Sequence, residues 1–161
     1  MYREISWYIG GKIMLPTRKN IRLPNYDYRQ EGMYFITICT KGKRTILGTV
    51  TQDSILLSAY GKIAEQVLIQ IQNTHIEASI IQHTIMPNHV HAILFIKNNA
   101  SVSLGQMIRQ FKAKTSYLCR QSIWQRNYYE HVIRSQIELC EIMTYIENNP
   151  LQWALDKEYM P

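Results

Sequence analysis

The stretch Met86-Pro87-Asn88-His89-Val90-His91-Ala92-Ile93-Leu94-Phe95-Ile96 decides the fold, because a Pro-Asn turn leads directly into a long apolar run. Side chains alternate between the two faces of a β-strand, so His89 and His91 share one face with Ile93 and Phe95. The opposite face is apolar throughout, as expected of a central strand that is covered on both sides. The pattern predicts a rigid central strand with two imidazoles at its entrance.

This pair of histidines suits a divalent metal ion, which binds neutral imidazole nitrogens on a support that does not move. His89 and His91 supply only two ligands, fewer than a protein site normally provides. The alternative is two polar residues at a strand end that hydrogen-bond to water. Spacing alone leaves both interpretations open.

The residues around this strand predict a sheet with helices packed against it. Alternating or β-branched runs predict strands over residues 34–40, 49–57, 76–86 and 89–96. Apolar stripes of helical period predict helices over residues 59–71, 104–118 and 136–148. Ser58 is the expected N-cap of the first helix, the segment Ser101-Val102-Ser103 is expected to cap the second, and Pro150 is expected to end the last. Residues 124–131 are expected to be irregular or a short strand. This order of elements predicts an α+β sandwich around a central antiparallel sheet.

The length and composition fit one globular domain. The chain has 161 residues, of which 46% are hydrophobic and 19% charged. It has no apolar run near the roughly 20 residues of a membrane span, and charges interrupt the first 15 residues. We therefore expect a cytoplasmic protein. Its three cysteines, Cys39, Cys119 and Cys140, are far apart and are expected to be reduced core residues.

The distribution of charge predicts a polyanionic partner. The formal net charge is +6, and residues 1–134 hold 17 of the 18 basic residues but only 7 of the 12 acidic ones. A basic body favours nucleic acid, although a high isoelectric point also serves solubility. Residues 1–25 are expected to form a basic N-terminal arm, and residues 26–161 a single catalytic domain. The rings of Tyr26 and Tyr28 are expected either to stack on bases or to pack the arm down.

The last predicted helix carries an unusual tyrosine. The apolar stripe of that helix consists of Leu139, Ile142, Met143 and Ile146. Tyr145 lies off this stripe and shares a polar face with Asn149, one turn further on. A tyrosine hydroxyl can act as a covalent nucleophile, and the amide oxygen of Asn149 could be a third metal ligand beside the histidines. The alternative is a tyrosine that packs against a neighbouring loop.

Several separated motifs resemble one family, the REP-associated tyrosine transposases of the single-tyrosine HUH superfamily. The segment Met86-Pro87-Asn88-His89-Val90-His91 matches the family's histidine–hydrophobe–histidine motif. Three further segments are similar to the family in sequence and order: Arg22-Leu23-Pro24-Asn25-Tyr26-Asp27-Tyr28, Trp124-Gln125-Arg126-Asn127-Tyr128-Tyr129-Glu130-His131 and Tyr145-Ile146-Glu147-Asn148-Asn149-Pro150.

The resemblance implies a ferredoxin-like fold and an enzyme that cuts and rejoins single-stranded hairpin DNA through a 5′-phosphotyrosine. By position, Tyr145 would be the nucleophile, and His89, His91 and Asn149 would hold Mg²⁺ or Mn²⁺. The family resemblance is compatible with a monomer or a homodimer. Two alternatives stay open: a hairpin-binding module that has lost turnover, and a nickase of the replication or conjugation type. The residues expected to contact DNA are Arg18, Lys19, Arg22, Arg109, Lys112, Lys114 and Arg126.

Overall fold

The computed structural model describes residues 23–52 and 54–157, with side chains described up to residue 153. Its elements are β1 (Gly32–Cys39), β2 (Gly48–Thr51), β3 (Ser54–Leu57), α1 (Ala59–Thr74), β4 (Ala78–Met86), β5 (His89–Ile96), α2 (Leu104–Leu118), β6 (Tyr129–Ile133) and α3 (Gln136–Lys157). Four strands form an antiparallel sheet in the order β4-β5-β1-β6, and β2 pairs with β3 in a separate hairpin. The order β1-α1-β4-β5-α2-β6 is the ferredoxin-like arrangement. The predicted α+β sandwich is confirmed.

Strand β5 lies in the interior of the sheet, as its two-sided apolar pattern predicts. It pairs with β1 on one side and with β4 on the other, both antiparallel. Met86 pairs with His89, so Pro87 and Asn88 form the two-residue turn of a tight hairpin. The turn thereby places His89 at the first position of a buried strand.

The two faces of the sheet carry separate hydrophobic cores. Val90, Ala92, Leu94 and Ile96 of β5 pack with α1 and α2 on one face. Ile93 packs with α3 on the other face, which is also the face of the histidines. Burial of each large aliphatic side chain stabilises the fold by about 1.5–3 kcal/mol, so both layers are held firmly. The active-site candidates therefore lie between the sheet and α3.

The prediction that the last helix ends at Asn148 is wrong, because α3 continues through Pro150 to Lys157. Proline lacks the N–H that would bond to the carbonyl four residues earlier, which normally breaks a helix. Here tertiary contacts hold the helix on both sides of this defect. Asn149 is 6% exposed, and the Trp153 ring lies 6.0 Å from that of His89.

Other boundaries also differ from the sequence prediction. Residues 49–57 form two short strands rather than one, because the chain turns back between Thr51 and Ser54. Of the two states expected for residues 124–131, the structure shows the short strand, β6, which pairs with β1. Cys119 is buried, but Cys140 is exposed on α3 and is not the core residue expected. Tyr26 and Tyr28 pack against the α1–α2 core, which supports the second of their two expected roles.

Residues 1–22, which form most of the predicted basic arm 1–25 and contain its candidates Arg18, Lys19 and Arg22, lie outside the described residues. No helix in the described ranges is both long and apolar enough to cross a membrane.

The start of α1 is connected through Leu47 to the Pro87-Asn88 turn before His89, which we call the histidine turn. The Leu47 N–H donates to the Pro87 carbonyl, and the Leu47 carbonyl accepts from the Ser58 N–H, both at 2.9 Å. Gly61, in the first turn of α1, approaches this carbonyl so closely that a β-carbon there would overlap the oxygen of Leu47. Only glycine fits this contact without moving the helix.

We therefore predict that Gly61→Ala lowers the free energy of unfolding by about 2 kcal/mol or more, because the backbone must shift to relieve the overlap. Urea denaturation at equilibrium measures this change. Gly42→Ala is the control: Gly42 has a φ of +67° but nothing near its missing β-carbon. It should cost only about 1 kcal/mol of backbone strain. Equal losses in the two variants would contradict the close contact with Leu47.

Candidate active site

His91 is held by the register of β1 and β5. The pairing places Thr37 directly opposite His91, and the Thr37 hydroxyl lies 2.8 Å from His91 Nδ1. Both residues are buried, at 2% and 3% exposure. A fixed partner on Nδ1 orients the ring and leaves Nε2 facing α3, the usual arrangement of an imidazole that is to act through Nε2.

His89 is held by the turn that precedes it. The Oδ1 atom of Asn88 lies 2.7 Å from His89 Nδ1 and, as a carbonyl oxygen, accepts the Nδ1 proton. The carbonyl of Asn88 in turn accepts hydrogen bonds from both the N–H and the hydroxyl of Thr40. The two imidazole centroids are 4.4 Å apart. The sequence order Asn-His thus fixes the first ring as firmly as strand pairing fixes the second.

Both imidazoles are neutral at physiological pH. Burial lowers the pKa of His89 to about 4; nearby Asn149 opposes this lowering, and the positive charge of Lys43 adds to it. Burial also holds the pKa of His91 well below its usual range, and the neighbouring His89 adds to this effect. A neutral imidazole keeps a lone pair, so both rings are suited to accept a hydrogen bond or to bind a metal.

Helix α3 brings the tyrosine to this pair. The Tyr145 hydroxyl lies 3.2 Å from His91 Nε2, and its ring meets that of Phe35 edge to face at 6.3 Å. Asn149, one turn later, is buried, and its Nδ2 donates to the Tyr145 carbonyl at 3.3 Å. Asn149 also lies close enough to His89 to raise the pKa of that ring, against the lowering by burial. The structure therefore brings together all four residues predicted at the catalytic centre: His89, His91, Tyr145 and Asn149.

Polar contacts fix α3 along the sheet in addition to its apolar stripe. On β4, Gln82 donates to the Met143 carbonyl and to Glu147, each at 3.3 Å. At the other side of the sheet, Glu138 accepts from His131 Nε2 and from the Arg134 N–H. These contacts set the rotation and the height of α3, on which the position of Tyr145 depends.

The donor set fits a hard divalent ion with open coordination positions. No group of three His, Cys, Asp or Glu side chains suited to a metal occurs among residues 23–52 and 54–153, where side chains are described. Among these residues, the Asn149 amide is the candidate for a third ligand, since it lies close enough to His89 to affect the pKa of that ring. Two imidazoles and one amide oxygen leave room for substrate oxygens, unlike the closed sets of structural zinc sites.

The predicted DNA-contacting bases lie in different places. Arg109 and Lys114 are exposed on α2, across the sheet from α3, and Lys114 donates to Gln70 of α1 at 2.6 Å. Arg126 is exposed in a loop beside the histidine end of β1, since the Gln125 N–H donates to the Cys39 carbonyl. Lys112 does not share the exposed face of Arg109. Its ammonium group donates to the carbonyls of residues 125, 126 and 127, and burial lowers its pKa to about 8.

Three residues near the centre were missed by the sequence analysis. Thr37 was counted only as part of a strand, because its role depends on the pairing register. Trp153 lies beyond the expected end of the last helix. Lys43 lies far from His89 in the sequence, and only the fold brings its charge near that ring.

Comparison with known proteins places this geometry in a family. The family described as Transposase IS200 like matches residues 29–149, most of the chain. An uncharacterised protein of Haemophilus influenzae is 34% identical over 168 residues, covering 89% of this chain and 93% of that protein. A second Haemophilus influenzae protein, provisionally named a REP-associated tyrosine transposase, is 26% identical and covers 81% of this chain and 77% of its own length.

One solved structure with the same fold is described as a REP-associated tyrosine transposase bound to a REP hairpin. It superposes with a TM-score of 0.66 at 20% identity, over 81% of this chain and 73% of that one. These findings confirm the family resemblance that the sequence motifs indicate.

The lowered pKa of the histidines predicts a pH dependence of stability in metal-free protein. Between about pH 4 and 6.5 the unfolded chain binds a proton at His89 that the folded chain does not bind. Stability therefore rises with pH across this window, and His89→Gln should remove roughly 3 kcal/mol of that rise. Urea denaturation in EDTA at a series of pH values measures it. Equal pH slopes in both proteins would contradict a neutral His89 in the folded protein.

Proposed function

Because the chain belongs to the IS200-like transposase family, we propose that it cleaves and rejoins single-stranded DNA through a covalent bond between Tyr145 and a 5′-phosphate. Membership of this family supports an enzymatic role in DNA cleavage. The observation that carries the specific proposal is the 3.2 Å contact between the Tyr145 hydroxyl and His91 Nε2. This contact joins the motif that contains His89 and His91 to the motif that contains Tyr145 and Asn149, and both motifs were predicted to carry the chemistry.

His89, His91 and Asn149 would hold Mg²⁺ or Mn²⁺. Such an ion supplies charge stabilisation to a phosphate oxygen and orients the phosphate for in-line attack. The residues contribute a neutral, rigid ligand set, since Thr37 and Asn88 hold the two Nδ1 atoms. His91 Nε2, which would be a ligand of the ion, lies 3.2 Å from the Tyr145 hydroxyl, so the nucleophile and the metal site would be adjacent.

Tyr145 is the nucleophile in this proposal. Its oxygen forms a bond to phosphorus, the bond from phosphorus to the 3′-oxygen breaks, and the phenol loses its proton while the leaving oxygen gains one. The phosphodiester energy is kept in the phosphotyrosine. A 3′-hydroxyl of another strand can therefore reverse the step without ATP. The Phe35 ring and the hydrogen bond from Asn149 to the helix backbone hold the tyrosine in place.

Single-stranded or hairpin DNA is the proposed substrate. The support comes from the basic composition of the body of the chain and from the described binding of a REP hairpin by the structurally similar transposase. Arg109, Lys114 and Arg126 are exposed and remain candidates for phosphate contacts. Lys112 is expected to act by holding the loop of residues 125–127 rather than by touching DNA.

A hairpin-binding module without turnover is the second candidate. The two functions differ in whether Tyr145 reacts. The direct contact of Tyr145 with His91 and the burial of Asn149 favour the enzyme, because a binding module has no need to hold these groups together.

We predict that the protein forms a covalent adduct when incubated with Mn²⁺ and a pool of hairpin oligonucleotides with randomised single-stranded flanks. Tyr145→Phe should lower the adduct yield by on the order of 10³-fold or more, because it removes the nucleophilic oxygen. EDTA should abolish the adduct. Gel electrophoresis under denaturing conditions detects the shifted band.

Tyr117→Phe is the matched control, since Tyr117 is 81% exposed on α2, across the sheet from the site. It should form the adduct as the wild type does. Adduct formation by Tyr145→Phe would show that the nucleophile is wrong. Binding of the pool without any adduct under Mg²⁺ or Mn²⁺ would favour the binding module.

A further inference from the structure

A basic turn is built onto the histidine turn. Residues 41–45 follow β1 and are all exposed, and three of them carry a positive charge: Lys41, Lys43 and Arg44. Asn88 forms hydrogen bonds with the backbone on both sides of Gly42, at Thr40 and at Lys43. Thr40 donates to the Asn88 carbonyl through its N–H and its hydroxyl, at 2.9 and 3.0 Å, and Asn88 Nδ2 donates to the Lys43 carbonyl at 3.4 Å. The same Asn88 side chain holds His89. The position of the turn is therefore fixed relative to the site.

The backbone of this turn adopts a conformation that most residues avoid. Gly42 and Lys43 are consecutive left-handed residues, with φ of 67° and 52°. For a residue with a β-carbon this conformation costs about 1–2 kcal/mol. Such strain persists where the surrounding structure imposes it and is frequent at functional sites. In this turn a lysine adopts the left-handed conformation, although a glycine at position 43 would adopt it without this cost.

Lys43 lies beside the site. Asn88 joins the two, because its Nδ2 donates to the Lys43 carbonyl at 3.4 Å and its Oδ1 lies 2.7 Å from His89 Nδ1. Among the described residues, none of the salt bridges includes Lys41, Lys43 or Arg44, so no acidic side chain there offsets these charges. A lysine next to a cation site repels the cation. The arrangement becomes favourable when an anion lies between the two, because a phosphate attracts both.

A second loop extends the basic edge. The Lys41 N–H donates to the Ile123 carbonyl at 2.8 Å, and Thr40 forms a β-bridge with Trp124. This places the exposed Arg126 near the same edge of the sheet. Exposed positive side chains thus occur on two loops that meet near the histidine end of β5, and a single-stranded backbone requires such a basic surface.

We propose that Lys43, supported by Lys41 and Arg44, binds the backbone phosphate of the DNA strand next to the phosphate that Tyr145 attacks. The inference rests on the proposed function. Lys43 is a positioning residue: it does not react, and it sets the register of the strand over His89 and His91. The ligand class is the phosphodiester of single-stranded DNA, without base specificity.

The binding test uses fluorescein-labelled oligothymidine, followed by anisotropy over a series of salt concentrations with full-length Tyr145→Phe protein. Lys43→Gln keeps the β-carbon and most of the side-chain length, so it adds no backbone strain. We expect it to reduce the slope of log K against log salt by about 0.7, the value for one phosphate contact on a single strand. Lys43→Arg should keep the slope. Lys97→Gln is the control, since Lys97 is exposed beyond the opposite end of β5.

The kinetic test uses the Tyr145 protein and a hairpin oligonucleotide that forms the adduct. At saturating DNA, Lys43→Gln should slow adduct formation by about 10-fold or more, because a misplaced strand loses its alignment for attack. Lys97→Gln should not change the rate. Unfolding in urea checks that each variant is as stable as its parent.

The outcomes separate the two claims. Absence of any adduct from the wild type would contradict the proposed function, while the salt slope would still decide whether Lys43 binds phosphate. If the wild type forms the adduct and Lys43→Gln matches Lys97→Gln in slope and in rate, the role of Lys43 is overturned. A lower slope and a slower rate for Lys43→Gln, both restored by Lys43→Arg, would support it.

Discussion

The packing of α3 on the histidine face of the sheet is the interaction on which the site depends. Leu139, Ile142 and Ile146 are almost fully buried against Phe35 and Ile93. Each such side chain contributes about 1.5–3 kcal/mol, so the stripe holds α3 as firmly as a core helix. Tyr145 precedes Ile146 by one residue, and the side chain therefore points to the edge of this contact. The apolar stripe of α3 therefore determines where Tyr145 meets the histidines.

Strand pairing provides the other half of the site. The register of β1 and β5 sets Thr37 against His91, and the Pro-Asn turn sets Asn88 against His89. A shift of one residue in this register would turn both imidazoles to the other face. The site therefore needs no charged partner to stay ordered: burial keeps the rings neutral, and backbone geometry fixes their direction.

The sequence predicted those parts of the fold that local patterns determine. The apolar run after Pro87 identified β5, and Ser58 and Ser103 accept the expected hydrogen bonds as N-caps of α1 and α2. It failed where tertiary contacts override local preference. Pro150 should end a helix, yet burial of Asn149 on the sheet keeps α3 intact. Lys112 and Lys43 are both lysines in polar stretches of sequence. Only the fold shows that Lys112 donates to the loop of residues 125–127, whereas the charge of Lys43 lowers the pKa of His89.

The central claim is that Tyr145 reacts at the histidines, and we propose that one chain supplies both halves of the site, as in this structure. A mixing experiment with Tyr145→Phe and His91→Ala, each inactive alone, tests it most directly. If α3 stays on its own sheet, every molecule in the mixture lacks one half of the site, and the covalent DNA adduct should not exceed that of the separate variants. Adduct recovered to a substantial fraction of the wild-type yield would mean that α3 crosses between chains, and would contradict the account.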